Sequence, residues 1–209
     1  MQRLRSFLPW CVAAAFLLWA AGASAADVLI GTVVGVRGAV FRENGGERQA
    51  LTPREPVHLG DTIIAEDGKA QILLNDGSIV SIGEKSRLVL SQYKSVSNGL
   101  TTRFRLLRGV LRLFVNRATS GGEFEIETET AVAAVRGTDW LMEAVPGRTG
   151  VAILHGVIAV SGVGAQQNAV VLLERPGDGV DVKMGEAPGP VHPWSRDRLA
   201  AVLARASFP

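Results

Sequence analysis

From Val28 to about Lys183, apolar and polar residues alternate in short runs broken by glycine and by Asp-Gly or Asn-Gly steps, with almost no 3.6-residue period. That pattern predicts an all-β domain. The stretch from Ile63 to Ile82 is the clearest piece, because Asp67-Gly68 and Asp76-Gly77 bracket Lys69 to Leu74. Both dipeptides favour the φ > 0 conformations of tight turns, so three short strands in a meander are expected here. Gly-x-hydrophobic starts recur at residues 38, 60, 77, 109, 137 and 156, at intervals of 17 to 32 residues by subtraction. Such irregularity argues against a strict short-period solenoid. It leaves a distorted β-helix and a curled β-sandwich of short strands both open.

Between Thr102 and Asn116 the apolar phase flips, from even positions at Phe104 and Leu106 to odd positions at Leu111, Leu113 and Val115. A bulge or sharp bend near Gly109 would keep both sets inward. Arg103, Arg105 and Arg112 then lie on the outward phases, and Glu123, Glu125, Glu127 and Glu129 alternate with Phe124, Ile126, Thr128 and Thr130. A cross-strand ladder of ion pairs is expected, with Arg112 on the same exposed surface as Glu125 or Glu127. Its functional alternative is a charged docking face.

Residues 184–194 form a linker rich in proline and glycine, including Ala187-Pro188-Gly189-Pro190 and Pro193. Residues 195–207 then read as an amphipathic helix capped by Ser195, with Trp194, Leu199, Val202 and Leu203 on its apolar side. A helix so short needs a surface to pack on, and its own β domain, 28–183, is the expected one. At the other end, Arg3 and Arg5, an apolar run from about Phe7 to Leu18, and Ala23-Ser24-Ala25 have the form of a secretory signal peptide over residues 1–25. Removing it leaves 22 − 2 = 20 Lys+Arg against 20 Asp+Glu. The slight positive charge of the whole chain therefore carries no argument for nucleic acid. Cys11, inside the leader, is the sole cysteine, so the exported chain has no thiol for disulfide, metal or nucleophile chemistry. The expected location is the periplasm, with no membrane span after cleavage.

Ala131 to Trp140 reads Ala-Val-Ala-Ala-Val-Arg-Gly-Thr-Asp-Trp. Small side chains allow close approach of backbone layers, and Arg136 sits where the chain turns. The residues favour a buried clamp, with the Arg136 guanidinium on main-chain carbonyls or on Asp139; a ligand-binding arginine is the alternative. His58, His155 and His192 lie far apart in the chain, and no nucleophile, metal-ligand or Walker-type spacing occurs. Catalytic residues, metal ligands and cofactors are accordingly not expected.

Three pieces together resemble the FecR domain family: Val57-His58-Leu59-Gly60-Asp61-Thr62-Ile63, Gly68-Lys69-Ala70 through Asn75-Asp76-Gly77-Ser78, and Ala131 to Trp140 around Val135-Arg136-Gly137-Thr138. The resemblance spans about Val33 to Val160 and marks Gly60, Asp61, Asp76, Gly77, Arg136, Gly137 and Thr138 as motif residues of structural or binding significance. It implies a β-rich periplasmic domain that works by binding. In the namesake regulators that domain receives a signal from an outer-membrane iron transporter and passes it to a cytoplasmic anti-sigma segment. Only a few residues precede the leader here, so the expectation is a module without an anti-sigma segment, binding an envelope protein in signal transduction or regulation. A carbohydrate- or peptidoglycan-binding module is the alternative; it would need an exposed aromatic platform, for which Trp140, Trp194 and Tyr93 are the candidates.

Overall fold

The computed structural model describes residues 28–96, 99–116, 123–166 and 168–208. The expected signal peptide lies outside the described residues. The chain crosses repeatedly between two layers. β1 (Leu29–Arg37) belongs to the first, the hairpin β2 (Val40–Asn44) and β3 (Glu47–Ala50) to the second, and β4 (Pro56–His58) to the first again. β5 (Thr62–Ala65) lies in the second layer, the hairpin β6 (Lys69–Leu74) and β7 (Ile79–Ile82) in the first, and β8 (Ser86–Val96) in the second. β9 (Gly99–Phe114) runs through both. β10 (Phe124–Glu127) and β11 (Ala131–Val135) follow in the second layer, then β12 (Asp139–Val145) and β13 (Arg148–His155) in the first. β14 (Ile158–Gly162) and β15 (Val170–Leu173) close the second layer, β16 (Asp178–Lys183) and β17 (His192–Pro193) the first, and α1 (Arg196–Ala206) ends the fold.

The strand orders are β4-β1-β6-β7-β9-β12-β13-β16-β17 and β3-β2-β5-β8-β9-β10-β11-β14-β15, joined through β9 into one open mixed sheet. Every pairing is antiparallel except β9 with β10. Of the two arrangements the periodicity leaves open, this is the sandwich: inward residues of both layers, among them Ile72, Val80, Trp140 and Ile153 from one and Ile63, Leu88, Phe104 and Ile126 from the other, form one core. Phe104 and Phe124 meet edge to face at 5.5 Å and help seat β10 beside β9.

The expected meander is corrected at its first turn. β6 and β7 do form a hairpin, but β5 pairs with β2 and β8 in the facing layer, so Asp67-Gly68 carries the chain across the sandwich. Alternation places Ile63 and Ile72 inward, and two facing layers satisfy it as well as one.

The expected bend in β9 is present. Leu107 is extra in the register with β8, since Arg87 faces Arg108 while Leu88 faces Leu106. Gly109 follows at φ +100°, where a Cβ would lie 2.4 Å from the Ser86 Cα. The buried Ser86 hydroxyl accepts from the Val110 N–H at 2.8 Å and donates to the Val110 carbonyl at 3.2 Å, so the bend leaves no backbone group of Val110 unsatisfied.

α1 packs on the outer face of the first layer, where Val202 and Ala206 cover Val110, Leu141 and Ala152. Ser195 caps it, accepting from the Arg198 N–H at 3.2 Å. Trp194 lies against Gly150 and Gly179, with the Arg198 guanidinium 3.7 Å above its ring. Asp181 accepts from Arg198 at 2.7 and 2.8 Å and from Arg148 at 2.9 Å, and Arg205 reaches Glu143 at 2.7 Å. Among the described residues no helix is long and apolar enough to cross a membrane.

Candidate functional site

The motif turns gather at one end of the sandwich. Leu59 N–H donates to the Val28 carbonyl and Asn75 N–H to that of Ile30, which ties the turn at Gly60-Asp61 and the turn at Asp76-Gly77 to the start of β1. Asp61, 1% exposed, accepts from His58 N–H at 2.8 Å and from the Asn44 amide at 2.7 Å. Asp76 is also buried and accepts from the Ser78 N–H at 3.0 Å and hydroxyl at 2.9 Å; the Ser78 hydroxyl in turn accepts from Asn116 N–H at 3.1 Å. Val115 N–H donates to the Thr138 carbonyl, and the Thr138 hydroxyl to that of Val157 at 3.1 Å. These contacts join the second and third motif pieces across β9. Tyr93 packs against the same end, where burial first and the Asp76 carboxylate second push its hydroxyl pKa up to about 12.

Asp61, Asp76 and Thr138 are therefore engaged in holding turns, and Gly60, Gly77 and Gly137 occupy the positive-φ positions of those turns. A glycine is also required at Gly156, φ +103°, where a Cβ would lie 2.9 Å from the Gly137 carbonyl oxygen. The β11–β12 and β13–β14 turns thus press backbone on backbone.

Arg136 departs from the expected clamp. It is exposed, and among the described residues no hydrogen bond or ion pair holds it. Asp139, the carboxylate expected to pair with it, instead accepts from Arg112 at 3.0 and 2.8 Å. That hydrogen bond, opposed by burial, raises the Arg112 pKa further above its ordinary value. Alternation along β11 contained the signal: Ala131, Ala133 and Val135 point inward, which puts Arg136 on the outward phase of Val132 and Ala134. The ladder is corrected in the same way. Arg103 pairs with Glu125 and Arg105 with Glu127, the latter at 3.2 Å, whereas Arg112 lies beyond the bend and meets the first layer's Asp139.

Outside the turns, Arg136 borders a groove of about 450 Å³ on the second layer, shared with Glu123, Ala134, His155, Val157 and Leu172. His58 and His192 are not among its lining residues, and no cluster of metal-ligating side chains occurs among the described residues. The groove holds one cation, one imidazole, one carboxylate and an apolar floor. That set can bind; among the described lining residues there is no hydroxyl or thiol nucleophile beside a base.

No curated protein matches this chain. Two crystal structures of a "putative anti-sigma factor" from Parabacteroides distasonis ATCC 8503 are similar in fold, with TM-scores of 0.54 and 0.53 and 18% identity. Each superposition covers 67% of this chain and 62% of that one, so this chain spans less than two thirds of their length. Residues 61–159 match the family model described as FecR protein, a span that runs from the buried Asp61 through Arg136 to the groove residue Ala159. Over residues 61–159 this chain is therefore similar to the FecR family.

Proposed function

We propose that this chain is an exported, non-catalytic FecR-type module that acts in signal transduction or regulation by binding a protein partner in the cell envelope. The FecR match and the fold shared with the Parabacteroides distasonis structures support a regulatory class. The observation that carries binding is the groove beside Arg136, which offers a cation, an imidazole and a carboxylate as recognition groups. Export to the periplasm by the leader at residues 1–25 belongs to the same proposal.

Of the three aromatics expected to serve a carbohydrate-binding alternative, none is fully exposed, while Phe114 is 49% exposed. Trp140 is fully buried, Trp194 is 5% exposed, and Tyr93 packs against the core. Affinity capture from envelope extracts with the full chain tests the proposal. A stoichiometric protein is expected in the eluate; polysaccharide with no such protein would overturn it.

A further inference from the structure

The four edges of the two layers are protected unequally. β3 exposes Glu47, Arg48 and Gln49, β4 has three residues and contains Pro56, and β17 has two and contains Pro193. Charge, proline and shortness each discourage a further strand. β15 reads Val-Val-Leu-Leu, as long as β3, with no charge, proline or register shift, and β14 is its sole strand partner among the described residues. Val170 is 55% and Leu172 54% exposed.

The surface beside this edge is apolar and low. Register aligns Ala134, Ala159 and Leu172 in one row across β11, β14 and β15, and Val132, Ser161 and Val170 in a second. α1 covers the outer face of the first layer, but no described helix covers these rows. Arg136 stands at the end where Val135, Ile158 and Leu173 align. Glu123 shares the groove, but no hydrogen bond or ion pair joins it or any other described carboxylate to Arg136.

We infer that β15 and this groove form a strand-addition site for an extended segment of a protein partner, with alternating apolar side chains over Val170 and Leu172 and an acidic side chain flanking them at the Leu173 end, on Arg136. Main-chain hydrogen bonds to the open edge supply affinity, and the apolar rows and the Arg136 charge supply register. The inference rests on the reading of the chain as a protein-binding module.

A displayed library of random peptides of about seven residues, panned on the full chain, tests it. Enriched peptides should alternate apolar residues, carry Asp or Glu at one end, and slow amide exchange at residues 170–173. Leu172→Lys should weaken them by about tenfold or more, and Arg136→Gln should weaken acidic peptides by about tenfold while leaving their Asn counterparts unchanged. Both substitutions change exposed side chains, so unaltered melting confirms that the variants fold. No enrichment, enrichment without an acid, or equal binding to Leu172→Lys would overturn the site. A wild-type dimer broken by Leu172→Lys would also overturn it, making a second copy of the chain the occupant. Envelope capture separates the two levels: the same partner on wild type and Leu172→Lys removes the β15 site and keeps the protein-binding reading, whereas polysaccharide alone removes both.

Discussion

Arg136 and Gly109 both stand where the chain changes direction, yet substitution meets different surroundings at each. The Arg136 side chain is exposed and its charge holds no described neighbour in place, so Arg136→Ala should shift stability by no more than about 0.5 kcal/mol. Calorimetric melting checks this, and a large loss would restore the clamp. At Gly109 a methyl group meets the Ser86 Cα at 2.4 Å while the backbone holds φ +100°. Gly109→Ala should therefore cost about 2 to 4 kcal/mol, the sum of a strained φ and a backbone collision, read as a fall in the urea midpoint. The Arg103–Glu125 and Arg105–Glu127 pairs lie on an exposed face and contribute little to stability by comparison.

Among the elements, α1 depends most on charge. Eleven residues make a helix that is marginal by itself, and its hold on the first layer combines Val202 and Ala206 with the Asp181 and Glu143 ion pairs. The Arg198 hydrogen bond, then the Arg198 and Arg148 charges, keep the Asp181 carboxyl below its ordinary value of 3.8, against the opposing effect of burial. A depressed folded pKa contributes stability that is present above the unfolded value and lost as pH falls through the folded one. Asp181→Asn should thus cost about 1 to 2 kcal/mol at neutral pH, with the gap to wild type closing as the pH falls below 3.8 and through the folded value. Thermal melting of both proteins across that range checks it; a gap independent of pH would mean that Asp181 acts through shape alone. Ser195 and the apolar spacing made this helix legible in the chain, while Asp181 and Glu143 came into view only when β16 and β12 were placed beneath it.

For the molecule as a whole, β9 is the member both layers share, and its passage from one to the other lets a single core form between them. The layers are consequently expected to unfold together, as one transition seen alike by tryptophan fluorescence and by circular dichroism. Trp140, fully buried in the core, reports the first of these directly. Export is the other whole-molecule expectation. With Ala23-Ser24-Ala25 as cleavage site, intact-mass measurement of the periplasmic protein should find Ala26 at its start; an intact Met1 in the membrane pellet would show an uncleaved anchor instead.

Local chemistry determined much of this fold in advance. Period-two alternation placed strands around Lys69 to Leu74 and Phe124 to Glu127, Asp76-Gly77 marked a hairpin turn, Gly109 a bend and Ser195 a helix start, because each depends on a residue and its immediate neighbours. The three motif pieces were likewise readable as a family pattern. What the tertiary structure alone decided was partnership. Alternation says which side chains face inward but not which layer a strand joins, so the crossing at Asp67-Gly68, the parallel pairing of β9 with β10 and the apolar open edge at β15 could not be read from it. The same limit applies to charge. Arg112 meets Asp139 rather than Glu125, and Arg136 is left at the groove, because the bend at Gly109 carries one arginine to the other layer and takes from the second the carboxylate that sequence proximity had offered it.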